Sequence, residues 1–238
     1  MKNWQERTQL LLGDEKLNKL AQAHVLVVGL GGVGAYVAEQ LARAGIGQLT
    51  LVDGDIIEAS NRNRQLPALI STTGENKARI MAARISDINP TIQLKVLTAY
   101  QEEDSIHRLL QDQTYDYVVD AIDTLGPKMA LLKSCLNHET PVISSMGAGG
   151  KLDPSQIQLA DLSKSHHCKL ARMLRKRLHR EGIYQGIQVV FSPEEVPEEA
   201  VRSEQGRNKK STVGTISYMP AAFGCFCASA VIRSLINS

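Results

Sequence analysis

An apolar run at residues 24–28 breaks off into Gly29-Leu-Gly-Gly-Val-Gly34, and a helical stretch at 35–44 follows. No other feature of the chain restricts its fold as tightly. Gly29, Gly31 and Gly34, with Gly32 between them, match the G-x-G-x-x-G spacing between a strand and a helix. Missing side chains let the backbone turn sharply and approach a phosphate, while the helix N-terminus aims oriented N–H donors at it. The next strand, 49–52, ends at Asp53, where a carboxylate accepts hydrogen bonds from ribose hydroxyls. This is a βαβ unit built for a nucleotide. Which nucleotide stays open at this point, and a nicotinamide dinucleotide heads the choices.

The rest of the first half keeps alternating. Helices are predicted at 75–88, 105–111 and 127–137, with strands at 92–97, 115–120 and 141–145. Such alternation predicts a Rossmann-like α/β fold, a doubly wound and mostly parallel sheet. Ahead of it, residues 3–22 read as one or two short helices with Leu10, Leu11, Leu17 and Leu20 on apolar faces. Beyond the turn Gly147-Ala-Gly-Gly150 the pattern changes. A strand at 157–159, a Lys/Arg-rich helix at 169–181 and a strand at 187–191 precede a charged loop at 192–211 and an apolar C-terminal helix. We expect a single unit over 1–238, with a nucleotide-binding core at 1–150 and a substrate and interface extension of short strands and helices at 151–238.

Composition narrows the class. Among 238 residues, 43% are hydrophobic, enough for a sizeable core, and a net charge of +2 is too mild to mark a nucleic-acid binder by itself. Four cysteines form no CxxC pair, so neither a zinc site nor a disulfide framework is expected. The N-terminus is amphipathic and carries acids early, unlike a secretory signal, and with unpaired cysteines we expect a cytoplasmic protein. Residues 213–232 carry no charge over a length that spans a bilayer. Pro220 and few large aliphatics argue instead for a buried helix.

The segment after Asp53 shifts the choice of nucleotide. Asn61, Asn63, Arg64 and Gln65 supply donors, and Lys77 follows. A triphosphate attacked at its α-phosphorus needs cations to stabilise charge on departing pyrophosphate, a task for Arg64 and Lys77. The run Gly29-Leu-Gly-Gly-Val-Gly34, Asp53-Gly-Asp55, Ser60-Asn-Arg-Asn-Arg-Gln65 and Lys77 resembles the ubiquitin-activating-enzyme superfamily, including its bacterial ThiF and MoeB branches. The resemblance covers roughly the first 150 residues strongly and implies ATP and Mg2+. By it, Asp53 holds the ribose, with Asp55 beside it; Ser60, Asn61, Asn63, Arg64, Gln65 and Lys77 contact phosphates. Asp123, next to Thr124, ligates magnesium. Arg7 resembles an arginine lent to a neighbouring protomer's ATP, and a homodimer follows from that.

A narrower similarity separates the branches. Arg7-Thr-Gln-Leu-Leu-Leu-Gly-Asp-Glu15, Val119-Asp-Ala-Ile-Asp123, Pro127-Lys128, Gly147-Ala-Gly-Gly150, Asp153-Pro154 and Ile157-Gln158 are similar to the tRNA threonylcarbamoyladenosine dehydratases. That family implies ATP-dependent cyclisation of a modified base beside the anticodon, through an adenylated carboxylate. The alternative is an adenylyltransferase that activates the C-terminus of a ubiquitin-like sulfur carrier; such enzymes commonly carry two CxxC pairs, which this chain lacks. An NAD-linked oxidoreductase and a non-catalytic tRNA-binding module also stay open, and no sulfur-relay partner is specified.

Intramolecular attack needs no enzyme nucleophile. Cys168, beside His166, His167 and Lys169, is accordingly weighed as an incidental thiol, the two histidines as a surface turn rather than a metal site, and Cys225 and Cys227 as buried. In the basic helix, Leu170, Leu174 and Leu178 form a stripe that sends Arg172, Arg175, Lys176 and Arg177 to the solvent side, a face suited to tRNA phosphates. Arg202, Arg207, Lys209 and Lys210 extend it.

Overall fold

The computed structural model describes residues 4–100, 102–203 and 211–237. In chain order it holds α1 (Glu6–Gln22), β1 (His24–Val28), α2 (Gly34–Ala44), β2 (Gln48–Val52), α3 (Lys77–Ile88), β3 (Gln93–Leu97), α4 (Glu103–Gln111) and β4 (Tyr117–Asp120). Then come α5 (Leu125–Asn137), β5 (Val142–Ser145), β6 (Gln158–Asp161), α6 (Lys169–Arg180), β7 (Gln188–Phe191), β8 (Val201–Ser203), β9 (Ser211–Val213) and α7 (Tyr218–Asn237). One sheet runs β3-β2-β1-β4-β5-β7-β6. All neighbours are parallel except β6 and β7. The expected doubly wound α/β architecture forms because every parallel pair needs a crossover, and the helices supply it.

Every residue of β1 is buried, and alternate residues serve opposite faces. Val25 and Val27 join a cluster with Leu41, Met81, Phe223 and Val231, under α2, α3 and α7. Leu26 and Val28 join the other, with Ile106, Leu131 and Leu174, under α4, α5 and α6. Each such side chain removed from water contributes roughly 1.5–3 kcal/mol. An uninterrupted apolar run is therefore stable only as a central strand covered on both sides.

Beyond residue 150 the sheet continues rather than stops. β7 adds in parallel beside β5, and β6 turns back antiparallel at the edge. Three expectations need correction. The stretch read as a loop at 192–211 contains β8, which pairs antiparallel with β9; its β-forming triplets are too short to stand out from flanking charge. Leu10 and Leu11 are 83% and 82% exposed and leave the core to Leu20, because α1 is kinked at Gly13. Cys225 is exposed, whereas Cys227 is buried.

Helix α7 explains that difference. Met219, Phe223, Cys227 and Val231 recur every fourth residue and lie fully buried, so position 225 is turned away from the stripe. A Cβ on Gly224 would sit 2.8 Å from the Val33 carbonyl oxygen on the approach to α2. Among the described residues, α7 alone is long and apolar enough to cross a bilayer, and half of its most apolar window is buried in the protein. It is a core helix.

Candidate nucleotide site at the sheet edge

Register brings the site together. Val28 lies beside Val52 and beside Asp120, so the chain leaves β1, β2 and β4 at one edge, at Gly29, Asp53 and Ala121. From there α2 packs on one face of the sheet and α5 on the other. Ligands of open α/β sheets sit at such a switch point.

The glycines have separate jobs. Gly29 takes φ 89°, and a Cβ on it would meet the Ala121 carbonyl oxygen at 2.7 Å. A Cβ on Gly34 would lie 1.8 Å from the Gly29 carbonyl oxygen, and one on Gly32 2.9 Å from Pro220. These three permit close packing. Gly31 differs: a Cβ there would meet nothing nearer than Gln65 Nε2, at 3.6 Å. The protein itself does not demand a bare backbone at Gly31.

Asp53 braces the loop. Its Oδ2 accepts from Leu30 N at 2.6 Å and its Oδ1 from Asp55 N at 2.8 Å. Burial pushes its carboxyl above the ordinary aspartate range, against the opposing pull of Lys77 and the two N–H donors. Each carboxylate oxygen keeps a further lone-pair site. Lys77 opens α3, which Asn76 caps by accepting from Ala78 N and Arg79 N. Its buried ammonium lies 2.7 Å from Asp55 Oδ2. Asp55 thus serves to aim Lys77.

The polar segment is largely engaged with itself. Asn61 Oδ1 accepts from Glu58 N, Ser60 Oγ donates to Glu58, and Asn63 Nδ2 donates to the Thr215 carbonyl at 2.9 Å. Arg64 donates through Nη1 to the Ser60 carbonyl and Asn63 Oδ1, at 3.0 and 2.9 Å, leaving Nε and Nη2 for a ligand. Gln65 is buried beside Gly31, and its Oε1 has no hydrogen-bond partner. Such an atom carries a desolvation cost that a ligand donor removes. Asp123 is exposed in the turn between β4 and α5, and Thr124 stands at the α5 N-cap without a side-chain capping bond. Arg7 is exposed on the first turn of α1.

One group escaped the sequence reading. Asp120, Lys128 and Ser144 are each fully buried. Lys128 Nζ donates to Asp120 Oδ2 at 2.6 Å and to Ser144 Oγ at 3.0 Å, and Ser144 Oγ donates to Asp120 Oδ2 at 2.6 Å. Asp120 and Lys128 stand in the motifs quoted above but were given no role there; the available signal was a lysine near the head of a mostly apolar helical stretch, eight residues beyond a strand-ending aspartate.

Among the described residues, no group of three His, Cys, Asp or Glu is placed to hold a metal ion. His166 packs its ring on Phe191, and His167 faces Glu195. Cys168 is buried, its sulfur accepting from Ala171 N at the head of α6. Burial drives the thiols of Cys135 and Cys227 up to about 12. In α6, Arg172, Lys176 and Arg177 are exposed. Arg175 corrects the expectation of a wholly solvent-facing basic set: its guanidinium turns inward and donates to the Leu162 carbonyl and Ser165 Oγ. The 3.6-residue turn sets where each side chain points, and residue 175, next to the buried Leu174, falls at the border of the stripe.

The chain matches the model of the ThiF family over residues 5–238. It is 41% identical to the tRNA threonylcarbamoyladenosine dehydratase of Bacillus subtilis, over 97% of this chain and 94% of that protein. It is 41% identical to the Escherichia coli enzyme of the same name, over 80% of this chain and 75% of the other. The crystal structure of the E. coli dehydratase TcdA in complex with ATP superposes with a TM-score of 0.88 at 35% identity, covering 100% of this chain and 96% of that one.

Proposed function

The chain belongs to the ThiF family, and on that premise we propose that it is an ATP-dependent tRNA threonylcarbamoyladenosine dehydratase. The observation that carries this reading is the open backbone at Gly31, with the Gln65 amide nitrogen beside it, Asp53 bracing the loop and the buried Lys77 ammonium acting on Asp53. A triphosphate fits there: N–H donors at the α2 N-terminus, Arg64 and Lys77 face its oxygens, and Asp53 takes the ribose. Asp123 is the carboxylate for Mg2+, which typically binds through one or two carboxylates together with substrate phosphates. Bound there, the cation would offset charge on the phosphates.

The chemistry starts from a poor leaving group. The threonyl carboxylate of the modified base attacks the α-phosphorus, a P–O bond forms, and pyrophosphate departs. Arg64 and Lys77 stabilise the charge that it carries away. The carbamoyl group of the same base then attacks the activated carbonyl, a ring closes, and AMP leaves with the bonding pair while the attacking atom gives up its proton. The base has lost one water. Reaction within one nucleoside has a high effective molarity, so the protonated, buried thiols of Cys135 and Cys227 have no part to play.

The remaining readings follow from the same site. Residues 151–238 form the substrate and interface extension, with Arg172, Lys176 and Arg177 as tRNA contacts, and the protein works in the cytoplasm on tRNA. Exposed Leu10 and Leu11 beside Arg7 suit a second copy of the chain, which would receive that arginine at its own ATP. A Leu10→Asp/Leu11→Asp variant should sediment as a monomer with impaired turnover, and a persistent dimer would remove α1 from the interface.

The decisive experiment incubates the protein with ATP and tRNA bearing threonylcarbamoyladenosine, then examines the nucleosides by mass spectrometry. A product lighter by one water, with matching AMP, is expected. AMP formation that depends on a sulfur carrier, or tight NADH binding without ATP affinity, would overturn the proposal.

A further inference from the structure

The Asp120–Lys128–Ser144 group lies directly beneath the turn that bears Asp123. Asp120 Oδ1 accepts from Ile122 N at 3.1 Å, while Oδ2 takes both Lys128 and Ser144. One carboxylate thereby ties the first residues of the turn to α5 and to the end of β5. On its other side the turn presses on the glycine loop. Ala121 N donates to the Val28 carbonyl at 2.9 Å, and the Ala121 carbonyl oxygen closes against Gly29. The turn is clamped from both sides.

Stability does not account for such a group. Removing two charges from water costs several kcal/mol each, and their attraction at best roughly repays it, so apolar residues of the same shape often do as well or better. What the ion pair supplies is direction: two charge-assisted bonds to one oxygen leave Asp120 a single rotamer. We propose that Lys128 is a positioning residue, which holds Asp120 so that the turn presents Asp123 to the metal–nucleotide complex. Partners that orient a metal ligand change metal affinity by about 10–100-fold when removed, and Asp120 acts on Asp123 through the backbone of the neighbouring Ile122. The inference rests on the reading of Asp123 as the magnesium carboxylate.

The test removes the charges and keeps the shape. Lys128→Met alone leaves a buried carboxylate short of its partner and risks unfolding, so Lys128→Met/Asp120→Asn is the informative variant. ATP binding is measured by calorimetry with Mg2+ and with EDTA, beside thermal unfolding, with Asp123→Ala as the reference. We expect the double variant to fold, to bind ATP in EDTA as the wild type does, and to need about 10–100-fold more Mg2+ for tight binding. Its kcat should fall more than its KM for ATP rises. A folded double variant with wild-type Mg2+ dependence overturns the positioning role while Asp123→Ala remains impaired. Wild-type Mg2+ dependence in Asp123→Ala itself overturns the parent reading as well. A double variant that cannot fold overturns it too, by making the pair structural.

Discussion

Two alanines in one loop separate packing from ligand binding. In Gly34→Ala the new methyl carbon would start 1.8 Å from the Gly29 carbonyl oxygen and 3.0 Å from Ala121 Cβ. The strand end or the helix must then shift by more than about 1 Å, an overpacking that costs roughly 1–3 kcal/mol or more. At about 2–4 °C per kcal/mol for a chain of this size, Tm should drop by roughly 2–12 °C. Gly31→Ala meets nothing closer than 3.6 Å and replaces a glycine whose φ is not left-handed. Reduced freedom of the unfolded chain should leave stability unchanged or raised by about 0.4–1 kcal/mol. Its methyl group would occupy the approach to the phosphates, so ATP affinity should fall by on the order of tenfold, about 1.4 kcal/mol, or more. Thermal unfolding and ATP calorimetry on both variants give four numbers. Wild-type ATP affinity in a stable Gly31→Ala would refute the placement of the triphosphate, and an unchanged Tm in Gly34→Ala would refute the packing argument.

Other substitutions probe the surrounding groups. Arg64→Ala should slow AMP formation by on the order of a hundredfold, and near-wild-type turnover would move the triphosphate away from that segment. Replacing Arg172, Lys176 and Arg177 with alanine should weaken tRNA binding and flatten its salt dependence by roughly 0.7–0.9 per lost phosphate contact; an unaltered slope would move the RNA surface elsewhere. Arg175→Ala should instead lower stability by about 1–2 kcal/mol, through two lost hydrogen bonds in α6 and the preceding turn, with the denaturation midpoint as readout. His24, whose Nε2 meets Thr50 Oγ1 at 2.9 Å, has its pKa lowered by burial, only partly opposed by Asp116 and helped by Lys95. The unfolded chain therefore takes up the proton more readily. Its contribution to stability is complete above the unfolded value of about 6.5 and drains away as pH falls through the folded value. His24→Gln should flatten that loss between pH 7.5 and 5.5, and an identical slope would exclude His24 as its source.

Much of the fold was legible because its signals are local. The β1 run, the glycine spacing and Asp53 lie within thirty residues, and periodicity, glycine and proline place the elements from β1 to β5 to within two residues. The C-terminal part was less readable. Whether β6 runs with or against β7 depends on which edge of the sheet the chain reaches, and β8 with β9 is too short for a pattern to emerge. Within the site, Asn61 and Asn63 read as phosphate donors by composition, yet Asn63 Nδ2 already donates to the Thr215 carbonyl, and Asn61 is oriented by accepting from Glu58 N through its Oδ1. An amide beside a peptide group meets its backbone partner before any ligand.

Sequence alone determined the parallel α/β sheet, the glycine loop and the aspartate that follows β2, since these rest on backbone sterics and on apolar periodicity, both written residue by residue. Tertiary structure decided which charges look inward. Lys128 reaches Asp120 and Ser144 only because β4, β5 and α5 meet, Arg175 turns to a carbonyl that α6 covers, and Leu10 and Leu11 face out. Burial and pairing of a charge depend on neighbours distant in the chain, and folding alone brings those neighbours within hydrogen-bonding reach.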